Sequence, residues 1–242
     1  MAKSVALIGY GRMGRALENC IAESADWSVA GVVDPARLPS LRDVESADVA
    51  IDFSFPGDIK GLLEVALLRG IPLVIGRTGL DEAAQVRIRQ AAESLPIVQD
   101  SNFSIGVAVM RRAVRLAAAA LPAADVEIIE AHHADKEDAP SGTAQRLLSD
   151  IDPSGQRPIA HGRQGARNPG EIGLHALRGG TTFGEHQVIF FAPMERLSIA
   201  HSAEDRRVFA LGALRAAAFV IGQPPGLYTM EQVLFGEKGG GA

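Results

Sequence analysis

The chain has 242 residues, of which 47% are hydrophobic and 22% are charged, and its formal net charge is −5. This length can bury one large or two modest hydrophobic cores. No apolar run approaches the ~20 residues of a membrane helix, and the acidic balance argues against nucleic acid as the main partner. Cys20 is the single cysteine, which excludes an internal disulfide and favours a cytoplasmic location, and the start MAKSVALIGYG lacks signal-peptide architecture.

The first hundred residues alternate between short runs rich in Val and Ile and segments with helical spacing. The runs predict strands at residues 4–9, 27–34, 49–54, 71–76 and 96–100, and the segments between them predict helices at 12–24, 57–70 and 81–94. Residues 35–47 are too short and broken for a helix. Strand, helix and strand in repetition predict a parallel sheet with right-handed crossovers.

The pattern changes after Asn102. Helices are predicted at residues 105–120, 142–150, 205–222 and 226–236, and a strand at 126–131. Three strand-like runs at 171–178, 185–192 and 195–202 lack intervening helices, which predicts a mixed or antiparallel sheet. We expect the polar segment 152–170 to be a mobile loop and the tail 238–242 to be disordered.

A glycine-rich turn follows the first predicted strand and opens the first helix. It consists of Gly9, Tyr10, Gly11, Arg12, Met13 and Gly14. Glycines in this setting permit a tight turn and the close approach of a pyrophosphate, which the helix N-terminus attracts. Asp34 ends the second strand, where an acid accepts hydrogen bonds from the adenosine ribose. The pattern predicts a dinucleotide site; the alternative is a structural turn in a flavodoxin-like domain.

The same region bears on the choice of cofactor. A carboxylate at Asp34 repels a 2′-phosphate, and Pro35 follows it instead of a basic residue, although Arg12 or Arg37 can partly compensate. We therefore predict NADH and/or NADPH, with NADH used at least as well. The turns Gly76-Arg77-Thr78-Gly79 and Asn102-Phe103-Ser104 follow the fourth and fifth strands, so they are candidates for lining the nicotinamide pocket or are simple turns.

The stretch VEIIEAHHADKEDAPSGTA, residues 126–144, concentrates groups that bind anions and transfer protons. The imidazoles of His132 and His133 exchange protons near neutral pH, and Lys136 adds a positive charge with three donors. On an extended backbone the two imidazoles face opposite sides, so only one is expected to face a substrate. Residues 140–143 look like a helix start, where backbone N–H groups attract anions. The stretch predicts a site that holds a small carboxylate and delivers a proton to it.

The histidines and arginines also have structural interpretations. All six histidines lie between positions 132 and 201, and Arg157, Arg163, Arg167 and Arg178 fall in the same region with Glu171 as the one nearby acid, which is also the pattern of a solvated basic loop. We predict no metal site, because no carboxylate or cysteine stands at a usual zinc spacing from the paired histidines. The isolated His175, His186 and His201 are interpreted as packing or interface residues.

EAHHADKEDAPSGTA closely resembles the signature of the dihydrodipicolinate reductase family, also called 4-hydroxy-tetrahydrodipicolinate reductase, whose members read close to E-x-H-H-x-x-K-x-D-A-P-S-G-T-A. The resemblance covers nearly the whole chain, through GYGRMG, IDFS, GRTG, NFSIGV, RGG, GEHQVIF and GLYTMEQVL. The chain departs from the family pattern at three places. Its glycine loop is one residue shorter than the commoner form, Arg77 stands where many members have threonine, and Asp100-Ser101 stand where small or apolar residues are usual. These departures concern cofactor preference more than reaction type.

The resemblance implies roles for individual residues. The implied proton donors are His132 and Lys136, and the implied ligands of the substrate carboxylates are His133, Ser141, Gly142 and Thr143. The implied cofactor-binding residues are Gly9, Tyr10, Gly11, Arg12, Met13, Gly14, Asp34, Gly76, Arg77, Thr78, Asp100, Ser101, Asn102 and Phe103; Phe53 and Ser54 follow the third strand and are expected to border the cofactor. The resemblance also implies a homotetramer joined through the sheet of the substrate domain.

We therefore predict a two-domain α/β enzyme. Residues 1–104 form a Rossmann dinucleotide-binding domain completed by 207–242, and residues 105–206 form an α+β substrate-binding and oligomerisation domain with a mixed sheet. The expected reaction is the NAD(P)H-dependent reduction of dihydrodipicolinate to tetrahydrodipicolinate, in diaminopimelate and lysine synthesis. The alternatives are a related NAD(P)-dependent oxidoreductase acting on another amino-dicarboxylate and a non-catalytic NAD-sensing protein.

Overall fold

A computed structural model describes residues 2–55 and 59–236. The chain divides into two compact units, one made of the described residues up to Ile105 together with those from Arg206 onward, and the other of Gly106–Asp205. In the described residues, no helix is long and apolar enough to span a membrane. The start of the predicted helix 57–70 and the predicted disordered tail lie outside the described residues.

The first unit begins with alternating strands and helices, as predicted. The strands are β1 (Lys3–Ile8), β2 (Trp27–Val33), β3 (Val49–Asp52), β4 (Leu73–Ile75) and β5 (Pro96–Gln99), and the helices are α1 (Arg12–Ala22), α2 (Ile59–Arg69) and α3 (Glu82–Ala92). β3 and β4 are buried along their whole length, which is typical of strands covered on both faces of a parallel sheet. In the segment without a predicted helix, the structure has one short 3₁₀ turn, Leu41–Asp43.

The second unit packs two helices against a five-stranded sheet. Its elements are α4 (Ile105–Ala120), β6 (Asp125–His132), α5 (Gly142–Ile151), β7 (Ile159–Ala160), β8 (Ile172–Arg178), β9 (Glu185–Ala192) and β10 (Glu195–Ser202). The sheet order is β10-β9-β6-β8-β7. β6, β7 and β8 pair in parallel, whereas β9 is antiparallel to β6 and β10. The predicted mixed sheet is confirmed, and β7 is a strand that the sequence did not reveal.

The alternation of burial along β6 decides which side chains enter the core of the second unit. The even-numbered residues from Val126 to His132 are buried, whereas the odd-numbered residues from Glu127 to Ala131 are partly exposed on the other face. The buried face shares one hydrophobic cluster with Val114 of α4 and Leu147 of α5. Because a strand has a period of two, two polar side chains of the even-numbered set are carried into this core alongside its aliphatic residues.

The arginines of the segment 152–170 do not form a solvated loop. Arg163 lies 2.6 Å from Glu127 and 2.5 Å from Glu171, and Arg167 pairs with Glu127 and lies 3.0 Å from Asp125. Arg157 donates to the carbonyl oxygen of Gly170 at 2.9 Å. The acids of β6 that balance these charges stand far away in the sequence, so the count of acids between residues 157 and 178, which finds Glu171 alone, does not reveal them.

The chain then returns to the first unit and completes its sheet. It forms α6 (Arg207–Val220), β11 (Gly226–Tyr228) and α7 (Met230–Phe235). The prediction of a single helix over 226–236 was wrong at its start, because Gly226–Tyr228 pairs in parallel with β5. The completed sheet has the order β11-β5-β4-β3-β1-β2 and is parallel throughout. The predicted Rossmann-like α/β fold is confirmed.

Helix α6 approaches Phe103, in the segment that follows β5, so closely that one of its positions has room only for glycine. A Cβ built on Gly212 would lie 1.7 Å from the carbonyl oxygen of Phe103, whereas a Cβ on Gly61, within α2, would meet nothing within 4 Å. Both glycines lie in helices, where alanine is intrinsically preferred. Alanine substitutions at the two positions therefore distinguish the effect of helix propensity from the effect of packing.

We predict that Gly212→Ala lowers the free energy of unfolding by about 1–3 kcal/mol through overpacking. Gly61→Ala is the matched control and should raise the same quantity by about 0.5–1 kcal/mol, because it restricts the unfolded chain at no steric cost. Urea unfolding followed by circular dichroism measures both. A Gly212→Ala variant as stable as the parent would contradict the close approach.

Candidate active site

The glycine turn after β1 is packed so closely that two of its glycines leave no room for a side chain. Gly9 has a φ of +88°, in the region that favours glycine. A Cβ on Gly9 would lie 2.6 Å from the Cα of Ser54, and a Cβ on Gly14 would lie 2.3 Å from the carbonyl oxygen of Gly9. Gly11 precedes α1 and offers no side-chain cap to its first N–H groups. The turn thus leaves backbone donors at the helix start open to an anion.

This turn lies at the point where the strand order reverses. β1 stands between β2 and β3, so the chain moves to one side of β1 and then to the other. In open α/β sheets, ligands bind outside the carboxyl ends of the strands at such a switch point. Phe53 and Ser54 follow β3 directly and adjoin the glycine turn, so the structure brings these predicted residues together. Gly76 follows β4, and a Cβ there would meet the Phe53 ring.

A buried ion pair that the sequence did not predict supports this edge of the sheet. The side chain of Arg77 lies 2.6 Å from that of Asp52, which is fully buried. Asp52 also accepts hydrogen bonds from the backbone N–H and the hydroxyl of Ser54, at 2.9 and 2.8 Å. Burial raises the pKa of Asp52, and the Arg77 charge opposes that rise. The additional charge at Arg77 is therefore matched by an acid at the end of β3.

Asp34 lies beside a second group of side chains at the end of β2. Its carboxylate accepts a hydrogen bond from the N–H of Ala36 at 3.0 Å. The Arg37 guanidinium stacks 3.7 Å from the centroid of the Tyr10 ring and lies 3.6 Å from Glu18, to which the Tyr10 hydroxyl also donates. A carboxylate and a cation thus flank the position where a ribose is expected, with an aromatic ring beneath the cation.

The remaining predicted cofactor residues differ in their surroundings. Asp100 accepts hydrogen bonds from Ser101 N–H at 2.8 Å and from Met230 N–H, at the start of α7, at 3.2 Å. Phe103 is buried and packs edge-to-face on Phe53, with ring centroids 5.5 Å apart. Three others are exposed or partly exposed: Arg12, Thr78 and Asn102. Met13, in the first turn of α1, is half-buried. Asp100 and Phe103 thus have roles in holding the unit together, and the sequence did not indicate them.

In the second unit, His132 is the last residue of β6 and lies on its buried face. Its Nδ1 lies 2.6 Å from a carboxylate oxygen of Glu130, two residues earlier on the same face. Glu130 has no exposed surface. Burial lowers the pKa of His132, Glu130 opposes this, and the charges of Lys136 and Arg178 add to the lowering. His132 is therefore held mainly as a neutral imidazole against an acid.

Glu130 is the centre of a hydrogen-bond network. Arg178 donates to its two carboxylate oxygens at 2.8 Å each, and the backbone N–H of Ser141 donates at 3.0 Å. Burial alone would raise the pKa of Glu130, but the hydrogen bonds from Arg178, His132 and Ser141 outweigh it and lower the pKa. Arg178 also donates to the carbonyl oxygen of Asp138 at 2.6 Å. The network ties β6 and β8 to the loop and to the start of α5.

His186 of β9, interpreted from the sequence as a packing or interface residue, is buried and lies in this cluster. Its ring meets that of His132 edge-to-face at 5.3 Å, and its Nε2 lies 3.2 Å from the hydroxyl of Ser141. Within the described residues its Nδ1 has no hydrogen-bond partner. Burial, followed by the charge of His132, lowers the pKa of His186 to about 4. The GEHQ segment that contains His186 was part of the resemblance, but no pattern in it indicated this contact.

The predicted substrate residues lie at the start of α5 and in the loop that precedes it. Ser141 caps the helix by accepting from Ala144 N–H at 3.2 Å, which confirms the predicted helix start, and Gly142 is its exposed first residue. The Lys136 ammonium donates to Asp138 at 2.6 Å and is partly exposed. His133 and Thr143 are half-buried. A cation and a helix start in one loop suit a small carboxylate.

Among residues 2–55 and 59–236, no group of three or more His, Cys, Asp or Glu side chains is arranged to hold a metal ion. A parallel nucleotide-binding sheet and a separate unit carrying acids and bases define a nicotinamide-dependent oxidoreductase of the α/β class. The chain belongs to the dihydrodipicolinate reductase family: the model of the family's N-terminal part matches residues 3–103, and that of its C-terminal part matches residues 106–234. The resemblance seen in the motifs is confirmed.

Individual relatives agree with this assignment. The 4-hydroxy-tetrahydrodipicolinate reductase of Caldanaerobacter subterraneus subsp. tengcongensis is 43% identical over 93% of this chain and 94% of its own length. Among solved structures, a dipicolinate-bound dihydrodipicolinate reductase from Paenisporosarcina sp. TG-14 covers 97% of this chain and 100% of its own, with a TM-score of 0.78 at 24% identity. An engineered D-amino acid dehydrogenase bound to NADP+ shares the fold more distantly, over 98% of this chain and 97% of its own, with a TM-score of 0.58 at 14% identity.

The buried histidine cluster predicts acid sensitivity. The pKa of His186 falls from 6.5 to about 4 on folding, so the unfolded state binds the proton first as the pH is lowered. Above pH 6.5 the protonation of His186 does not change the free energy of unfolding. As the pH falls from there towards 4, the free energy of unfolding decreases by at most about 3 kcal/mol.

Urea unfolding at several pH values between about 7 and 4 measures this loss. His186→Gln should flatten the pH dependence, whereas His161→Gln, at an exposed position, should leave it unchanged. An equally steep dependence in His186→Gln would contradict the assignment.

Proposed function

We propose that the protein is a 4-hydroxy-tetrahydrodipicolinate reductase of diaminopimelate and lysine synthesis. The observation that carries the proposal is that Glu130, His132 and Ser141 of EAHHADKEDAPSGTA share one hydrogen-bond network, in a chain that matches the family along both its parts. Dihydrodipicolinate, formed by loss of water from its 4-hydroxy precursor, gains one hydride and one proton and becomes tetrahydrodipicolinate. The cofactor is oxidised from NAD(P)H to NAD(P)+.

The first unit fits the cofactor. The close packing at Gly9 and Gly14 keeps the turn tight, and a Cβ on Gly11 would meet nothing within 4 Å, which leaves space beside the turn for a pyrophosphate. The uncapped start of α1 supplies donors and a positive dipole end. When bound, NADH or NADPH supplies the hydride. The turns after β1, β2 and β3 carry the remaining contacts, with Asp34 at the ribose and with Phe53 and Ser54 beside the glycine turn.

The second unit fits the substrate and the proton. Lys136, His133 and the start of α5 at Ser141, Gly142 and Thr143 hold the two carboxylates of the substrate. Negative charge develops on the conjugated ring as hydride arrives, and a nearby acid must neutralise it. His132 and Lys136 are the two proton donors of this unit, and both are positioned by carboxylates, Glu130 and Asp138 respectively.

The oligomeric state and location extend the proposal. The face of the second unit's sheet that lies opposite α4 and α5 carries partly exposed apolar side chains, including Leu177 at 54% and Phe191 at 41% exposure. A sheet normally buries such a face, which supports a homotetramer joined through it. Sedimentation equilibrium measures the subunit number. The buried, single Cys20 and the need for NAD(P)H agree with a cytoplasmic location.

The first test is steady-state oxidation of NADH and NADPH with dihydrodipicolinate generated enzymatically in the same cuvette. We expect turnover that depends on this substrate. His132→Gln and Lys136→Gln should each lower kcat by about 10²–10⁴-fold, because each removes a proton donor, while NADH affinity stays unchanged. Lys60→Gln, at an exposed surface lysine, is the control.

The outcomes separate the three functions. Absence of turnover despite tight NADH binding, followed by turnover with another amino-dicarboxylate, would favour the related oxidoreductase. NADH binding with no turnover of either would favour the NAD-sensing protein. Full activity in both variants would overturn the assigned proton donors.

Cofactor choice gives a separate prediction. We propose that NADH is used at least as well as NADPH because Asp34 repels a 2′-phosphate, and that Arg37, held on Tyr10, is the cation that admits NADPH. Asp34→Asn keeps an acceptor for Ala36 N–H but loses the charge, so kcat/KM for NADPH relative to NADH should rise about tenfold. Arg37→Gln should change the ratio in the opposite direction. A ratio unaffected by either variant would contradict these roles.

A further inference from the structure

We infer that Glu130, clamped by Arg178, is a positioning residue that fixes the proton of His132 on Nδ1 and leaves Nε2 as the atom that exchanges protons with the substrate. The inference rests on the proposed function and adds a residue pair to it.

The tautomer follows from what the carboxylate can accept. Glu130 receives three N–H groups, two from Arg178 and one from Ser141, and its pKa is lowered, so it is ionised and can only accept. An ionised carboxylate oxygen 2.6 Å from Nδ1 therefore requires a hydrogen on that nitrogen. Neutral His132 then carries its single ring proton on Nδ1, and Nε2 has a lone pair.

The opposite edge of the His132 ring lies beside Gly184. A Cβ on Gly184 would lie 3.0 Å from Nε2 of His132, so any side chain there would crowd this atom. The groups that face His132 from the surrounding elements are Glu130 on β6, Arg178 on β8, His186 on β9 and Lys136 in the loop. Of these, Glu130 is the acid, and it stabilises the imidazolium that forms when Nε2 takes up a proton.

The same carboxylate couples His132 to the substrate-holding groups. It binds the N–H of Ser141 at the start of α5, while Arg178 binds the carbonyl oxygen of Asp138, whose side chain holds Lys136. In the proton-transfer step, the N–H bond at Nε2 breaks and a C–H bond forms on the reduced ring. His132 is left neutral with its proton on Nδ1, still donated to Glu130, and solvent restores the proton on Nε2.

Glu130→Gln tests the inference, because it keeps the shape and one acceptor but places an N–H₂ group within reach of Nδ1. We expect His132 to change to the Nε2–H tautomer and kcat to fall by about 10²-fold, with NADH affinity unchanged. Loss of the acid also destabilises the imidazolium, so the part of the kcat profile that requires protonated His132 should move to lower pH. The tautomer is measured from ¹⁵N chemical shifts of histidine-labelled protein, with the His132 signals identified by their loss in His132→Gln.

Glu127→Gln is the matched control. Glu127 stands on the same strand and also pairs with an arginine and a histidine, Arg163 and His175, but on the opposite face of the sheet. It should leave the His132 tautomer and kcat unchanged. A loss of kcat in Glu130→Gln without a change of tautomer or pH profile would indicate a merely structural role and overturn the inference.

The His132 tautomer of the wild-type protein can be measured even if Glu130→Gln does not fold. Wild-type His132 with its proton on Nε2 at neutral pH overturns the inference, whereas a proton on Nδ1 supports it. This readout needs no substrate, so it is independent of the proposed function. Absence of turnover in the wild type would refute the function, while turnover combined with an Nε2–H tautomer would refute the role of Glu130 alone.

Discussion

A carboxylate with no exposed surface is the constraint on which the second unit's site depends. A buried charge that loses one of its partners costs about 3–5 kcal/mol, so the surrounding groups must be fixed together. Glu130 meets this demand with Arg178 from β8, His132 from its own strand and the N–H of Ser141. Satisfying one buried acid therefore sets the place of His132, the helix start and the Lys136 loop at the same time.

In the first unit, the site depends on close backbone packing that leaves no room for side chains at two glycines. At Gly9 and Gly14 the backbone approaches so closely that a side chain would collide with Ser54 or with the turn itself. The resulting turn brings amide donors to the carboxyl edge of a parallel sheet, where helix dipoles also favour anions. Nearby, Asp52, which forms a buried ion pair with Arg77, accepts a hydrogen bond from the Ser54 N–H and so fixes this turn. The first unit thus positions its donors through close backbone packing, and the second positions its groups around a paired, buried acid.

Charge balance across the second unit shows why local counting fails. The arginines of the segment 157–178 look unopposed in the sequence, yet each contacts an acid or a carbonyl oxygen that the fold supplies, chiefly from β6. One strand therefore carries two acids on opposite faces with separate tasks. Glu127 holds the segment that contains Arg163 and Arg167, and Glu130 holds the histidine cluster. A strand's alternation is what keeps the two networks apart.

The sequence by itself determined the parts whose causes are local. Val- and Ile-rich runs predicted the strands β1 to β5 of the first sheet, and the glycine spacing predicted its turn. The contiguous motif from residue 130 to 144 indicated His132, Lys136 and the capped start of α5. It missed β7 and β11, which have two and three residues and exist because a distant strand pairs with them. Short strands have little periodicity of their own to detect.

Only the tertiary structure decided which partners complete the site. Arg178 lies 48 residues from Glu130 in the sequence, and His186 lies 45 residues from Ser141, so no spacing rule connects them. Neighbouring strands of the mixed sheet bring them together, and burial then changes their chemistry: it lowers the pKa of His186 and forces every acceptor of Glu130 to find a donor. Residue identity determines which groups are present, whereas strand pairing and desolvation determine their partners and protonation.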